Sequence, residues 1–149
     1  MFRHIVLLAA CTVFSACVTI PQQRRIDPVW PTARDGAIST IGSSRSMAKD
    51  KMDEIDAGNA AMPAASKAKP KKAVLDGRYA AVKKQFTSTE ESEKILIDWA
   101  KGKDSSKSDI VDADSSKLMN EARELSLRYG KLYADFNSLG VEYNALTSY

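Results

Sequence analysis

Residues 118–146, LMNEARELSLRYGKLYADFNSLGVEYNAL, decide the fold. Leu118, Ala122, Leu125, Tyr129, Leu132, Phe136, Leu139, Tyr143 and Leu146 recur at strict 4-3-4-3 spacing, which places them along one side of an α-helix. A strand would alternate every second residue and a loop would keep no period, so the stretch predicts one long helix with a coiled-coil-like seam. At about 1.5 Å of rise per residue, this helix runs to roughly 43 Å, too long for a compact bundle of a chain this size. The expected class is all-α: an elongated helical hairpin or a three-helix arrangement. With leucines at d, the a positions hold Ala122, Tyr129, Phe136 and Tyr143. Parallel dimeric zippers prefer Ile or Val at a, so the seam is expected to close against helices of its own chain, with self-association as the alternative. Tyr133 and Tyr143 are the seam residues expected to reach a partner. Gly130 and Gly140 each cost about 1 kcal/mol against Ala in a helix interior. They either admit a neighbouring helix or mark a place of bending.

Upstream, Leu75, Tyr79, Val82 and Phe86 share a helical face. The pattern breaks over Thr87-Ser88-Thr89, where Ser88 and Glu91 match a capping box. This predicts a second helix from Thr89 to Ala100 that buries Ile95, Leu96, Trp99 and Ala100 and stops at Gly102. One continuous helix over 71–101 is the alternative. Residues 102–110 read as a polar connection, and Asp114, Ser115 or Ser116 as the N-cap of the long helix.

The N-terminal half reads differently. All five prolines (Pro21, Pro28, Pro31, Pro63 and Pro70) lie in it, and Trp30 is the only aromatic between Cys17 and Tyr79. Proline interrupts helices and large aromatics build cores, so a boundary is expected near residue 70. Residues 17–70 are then a flexible tether with a possible short helix at 43–57 (Ala48, Met52, Ile55), and 71–149 the helical domain. Pro28-Val29-Trp30-Pro31 reads as an extended or turn segment whose Trp is either exposed or loosely packed, or docked on the domain or on a partner. The Ala/Pro/Lys-rich stretch at 60–72 reads as a spacer.

At the start, Arg3 and His4 precede an apolar run from Ile5 to Phe14, then small residues at Ser15-Ala16 and a cysteine. The run is too short for a spanning helix of about 20 residues and has the layout of a signal peptide over 1–16. Phe14-Ser15-Ala16-Cys17 resembles the lipobox of bacterial lipoproteins. The resemblance implies that Cys17 is lipidated with fatty acyl chains such as palmitate, and that the signal is cut before it. It also implies, through Val18, sorting to the outer membrane facing the periplasm. Leu8-Ala9-Ala10-Cys11 matches the same pattern but would leave too short a signal. Cys11 and Cys17 are the only cysteines, so a chain beginning at Cys17 has no pair for a disulfide.

His4 is the only histidine, so no histidine remains beyond the signal for a metal set or a Ser-His-Asp arrangement. Glu90, Glu91 and Glu93 are the paired-carboxylate candidates, but a helix start accounts for them through the dipole. The acidic stretch from Asp109 to Ser116 lacks the glycine and closing glutamate of a calcium loop. Neither an enzyme nor a cofactor or small-molecule substrate is expected. The net charge of +3 combines a basic lead-in with a mildly acidic C-terminal part, which is no nucleic-acid footprint. The expected function is a membrane-anchored periplasmic structural or interaction lipoprotein, an accessory of an envelope or secretion assembly. Its partners are the membrane, through the N-terminal lipid, and an envelope protein or a second copy, through its helices. The alternative is a lysis or inhibitor lipoprotein encoded by a phage or mobile element.

Overall fold

The computed structural model describes residues 23–147. They form α1 (Trp30–Ala61), the single turn α2 (Ala64–Lys67), α3 (Pro70–Ser105) and α4 (Asp112–Thr147). The expected all-α class holds in its three-helix form. Helices α1 and α4 run parallel, and α3 runs antiparallel to both. Ser44 of α1 meets Ser126 of α4 with hydroxyl oxygens 2.7 Å apart, while Arg45 reaches back to Glu93 of α3 at 3.1 Å.

The prolines punctuate these helices rather than excluding them. Pro31 and Pro70 sit in the first turns of α1 and α3, where a missing N–H costs nothing. Met62 and Lys69, each preceding a proline, are held extended at ψ 133°, which ends α1 and separates α2 from α3. Residues 30–61 are thus part of the helical unit. The division at residue 70, with a tether on its N-terminal side and a short helix only at 43–57, is corrected by α1. Nor is 60–72 an extended spacer: it makes the tight corner in which Ser66 Oγ donates to the Leu146 carbonyl at 3.0 Å.

Leu118, Ala122, Leu125, Tyr129, Leu132, Phe136, Leu139, Tyr143 and Leu146 are all buried, facing α1 and α3 of the same chain. Ala37, Ile41, Ser44, Ala48 and Ile55 complete the core from α1, and Leu75, Tyr79, Phe86, Leu96 and Ala100 from α3. Small residues let α1 lie close to α4. A Cβ built on Gly140 would stand in ordinary van der Waals contact, 3.8 Å from Ile55 Cγ1, and one on Gly130 would meet nothing, so neither glycine is required for the approach of a neighbouring helix. Aromatic edges fill the wider space towards α3: Tyr79 on Phe136 at 5.9 Å, Phe86 on Tyr129 at 5.7 Å and Phe86 on Phe136 at 6.2 Å.

Helix α3 is continuous, so the two-helix reading of 71–101 is corrected. Thr87, Thr89 and Ser92 each donate a hydroxyl hydrogen bond to the carbonyl four residues back, and the hydroxyls that suggested a break are satisfied inside the helix. Gly102 does not end it, and Ile95 is 71% exposed rather than buried. Helix α4 starts two residues before Asp114. The Asp114 carboxylate instead accepts from the Val111 N–H at 3.1 Å, as the third residue of a capping box does.

One motif repeats along the helix–helix seams: an aromatic donor, a carboxylate and a basic side chain. Tyr79 donates to Asp56 (2.7 Å), which also binds Lys83. Tyr129 donates to Glu93 (2.7 Å), which binds Arg45. Tyr143 donates to Asp76 (2.8 Å), which binds Lys72. Trp30 Nε1 donates to Asp104 (2.7 Å), which binds Arg34. Each hydrogen bond joins two different helices, so together they fix register where an apolar seam alone would allow sliding.

Burial first, and then donation to a carboxylate, pushes the hydroxyls of Tyr79, Tyr129 and Tyr143 well above the usual phenol range. A phenol that stays neutral in the bundle but ionises at about pH 10 in the unfolded chain contributes stability that is complete below that pH and lost above it. The melting temperature is therefore expected to fall steeply above about pH 10. NMR should show these three rings keeping neutral-form shifts until the fold is lost. Tyrosinate formation at these rings with the helices intact would show that they are not closed in.

Candidate interaction surface

Two features stand out at the end of the bundle where α1 begins and α3 passes to α4. The first is a strap. Arg24 donates from Nε to the Ser108 carbonyl at 2.7 Å and from Nη1 to the Asp104 carbonyl at 2.9 Å, and its Nη2 donates to the Lys103 carbonyl. One guanidinium thus satisfies carbonyls at the C-terminal end of α3, where a cation also meets the negative end of the helix dipole. Residues 25–27 then pair with the connection between helices. Ile110 N–H donates to the Arg25 carbonyl, and Asp27 N–H donates to the Ile110 carbonyl, both at 2.9 Å. The Arg25 N–H reaches Asp109 at 2.9 Å, and Ser115 donates to Asp27. Of the two readings of Trp30, docking on the domain is the one found: it is 1% exposed and stacks edge-on against Trp99 at 5.9 Å. Its donor is met by Asp104, whose carboxyl is held below the usual range by the Trp30 hydrogen bond and then by Arg34.

The second feature is a groove of about 460 Å³ between α1 and α4, on the side away from α3. Ala33, Ala37 and Ala122 are buried along its floor beside Gly36, while Val29, Met119 and Leu127 stand 50–67% exposed around it. Small residues on α1 make this channel, because nothing larger fills the gap beside α4. Other exposed apolar side chains, such as Ile95, Val74 and Val141, lie elsewhere, and isolated ones need no explanation.

The anticipated site residues divide clearly. Cys17 lies outside the described residues, as does the alternative Cys11. The aromatic seam offers little to a partner: Tyr143 is 5% exposed, and only Tyr133, at 37%, reaches the surface. Glu90, Glu91 and Glu93 sit in the middle of α3, so the helix-start account of them is corrected. Glu93 is buried under Tyr129 and Arg45, and this gives it a structural partner set. In the acidic stretch, Asp109 binds the strap backbone, and the Asp114 carboxyl is held below the usual range first by Lys103 at 2.7 Å and then by the Val111 N–H. Among the described residues, no group of three or more His, Cys, Asp or Glu side chains is placed to hold a metal ion. Among them also, no helix is long and apolar enough to cross a membrane.

Comparison with known proteins gives no matching family, no matching curated protein and no matching solved structure.

Proposed function

We propose that this chain is an envelope lipoprotein, anchored through Cys17 and facing the periplasm. Its bundle serves as a non-catalytic accessory subunit of an envelope or secretion assembly. The observation that carries the reading is the strap. With residues 24–27 bound to the α3–α4 connection, six residues separate Cys17 from Arg24. Even fully extended, that segment spans roughly 25 Å. An anchor at Cys17 therefore holds this end of a stiff bundle beside the bilayer. The α1/α4 groove opens at the same end and suits the apolar face of a partner helix.

The test is site-specific photocrosslinking in cells at Met119 and Leu127, with exposed Lys84 of α3 as the control, alongside membrane fractionation of Cys17→Ser. One dominant envelope-protein adduct from 119 and 127 but not from 84 is expected, with the serine variant leaving the membrane fraction. Equal labelling from all three positions would remove the groove from the proposal. A Cys17→Ser chain still in the membrane would remove the anchor. An adduct of twice the chain's own mass would replace the partner with a second copy.

A further inference from the structure

Among the described residues, the lining of the α1/α4 groove holds a single charged side chain. Arg123 stands exposed on the rim, one turn from Met119 on one side and one turn from Leu127 on the other. Facing them, α1 supplies Thr32, Gly36 and Thr40, so no carboxylate lines the channel opposite the guanidinium. None meets it along α4 either, since the residues three and four places away are Met119, Asn120, Ser126 and Leu127. The neighbouring cations of this helix are answered, Lys117 by Glu121 at 3.8 Å and Arg128 by Glu124 at 3.9 Å. Arg123 forms no ion pair among the described residues.

The floor below is small. Ala33, Ala37 and Ala122 are buried beside Gly36, so an apolar side chain entering from outside can rest close to both helices. From Val29 to Thr40 the channel runs for about 17 Å, the length of about three helical turns. A helix lying along it covers Met119, Arg123 and Leu127 together. Covering takes water from the guanidinium, and a cation so desolvated is costly unless a carboxylate replaces that water. The planar fork of arginine donates two parallel hydrogen bonds to one carboxylate, which fixes register as well as sign. A second copy does not supply that group. Two chains anchored in one membrane would meet in parallel, and this face paired with itself sets Arg123 against Arg123.

We infer, resting on the groove's role proposed above, that the partner helix carries an Asp or Glu aligned with Arg123 and a large apolar residue one turn to either side. The apolar residues fill the alanine floor and supply the affinity. The carboxylate decides which helix is accepted.

The test uses the full chain in nanodiscs of zwitterionic lipid, with empty discs subtracted. The probes are side-chain-bridged helical peptides of one design, apolar one turn to each side of a central Glu, Gln or Lys. Binding is followed by fluorescence anisotropy. The Glu peptide is expected to bind about tenfold more tightly than the Gln peptide, with the Lys peptide weakest. Arg123→Gln should abolish that preference, and Arg123→Glu should turn it towards Lys. Circular dichroism checks that both variants keep their helices. Added salt should narrow the gap between the peptides.

Equal binding of the Glu and Gln peptides, or a preference that survives Arg123→Gln, would overturn the acidic partner and leave the groove as a helix site. Failure of every peptide to bind would remove the groove reading together with it. Displacement of the Glu peptide by free palmitate, or a doubled protein mass that Leu127→Lys abolishes, would also overturn the inference, giving the groove to an acyl chain or to a second copy.

Discussion

Phe136→Ala is expected to lower the melting temperature by roughly 10–20 °C, the consequence of losing about 3–5 kcal/mol from a domain of this size. Phe136 is fully buried, with Tyr79 and Phe86 edge-on against it at 5.9 and 6.2 Å. Both neighbours are themselves tied down. Tyr79 is fixed by its hydrogen bond to Asp56 on α1, and Phe86 is wedged against Tyr129. The hole left by truncation therefore has little means of collapsing, which places the cost towards the upper part of the range for such substitutions. A total stability of about 5–15 kcal/mol leaves a variant that is folded when cold and largely unfolded at moderate temperature. Leu127→Ala, at a side chain 67% exposed on the same helix, should change stability by less than about 0.5 kcal/mol. Thermal denaturation followed by circular dichroism separates the two. An unchanged midpoint for Phe136→Ala would mean that the seam does not close within one chain.

How far the fold could be read from the sequence depended on side-chain size. The nine-position seam of α4 announces itself because large residues hold nearly every position, so period and hydropathy agree. Helix α1 has an equally regular buried face, running through Trp30, Ala33, Ala37, Ile41, Ser44, Ala48 and Ile55. Much of that face is alanine or serine, which hydropathy barely registers. The close parallel approach to α4 requires those small residues, so the feature that builds the interface also conceals it. The prolines misled for a related reason. Proline ends a helix only where an N–H is needed, and Pro31 and Pro70 stand where none is. The polarity of Thr87-Ser88-Thr89 makes no break, because a hydroxyl can return its bond to its own helix. Of the candidate surface, the apolar rim was invisible for a different reason. Val29 and Leu127 lie nearly a hundred residues apart, and only the parallel pairing of α1 with α4 makes them neighbours. The strap was equally hidden, since nothing in Arg24 itself points to the carbonyls of Lys103, Asp104 and Ser108.

Glu93 offers the second large effect, and its size depends on which partner is removed. The residue is 4% exposed, and its carboxylate accepts from the Tyr129 hydroxyl at 2.7 Å and meets Arg45 at 3.1 Å. Glu93→Ala should cost about 3–5 kcal/mol, because it strands a buried phenol while opening a cavity beside it. Tyr129→Phe should cost about 1–3 kcal/mol, since it removes one hydrogen bond from a carboxylate that Arg45 still holds. Glu93→Leu combined with Tyr129→Phe should recover most of the loss, because both polar partners leave together and apolar groups fill the space. Arg45, whose side chain is 45% exposed, can return its charge to water in that variant, so no buried orphan remains. The predicted coupling is thus large and favourable in the double substitution, measurable by chemical denaturation as a double-mutant cycle whose single variants are Glu93→Leu and Tyr129→Phe. What the double variant should lose is not stability but register, since one of the four polar contacts that hold the helices in phase is gone. Broadened amide signals along α4 with an unchanged unfolding midpoint would assign Glu93 to specificity. A double variant as unstable as Glu93→Ala would instead show that the polar pair itself contributes stability that no apolar replacement supplies.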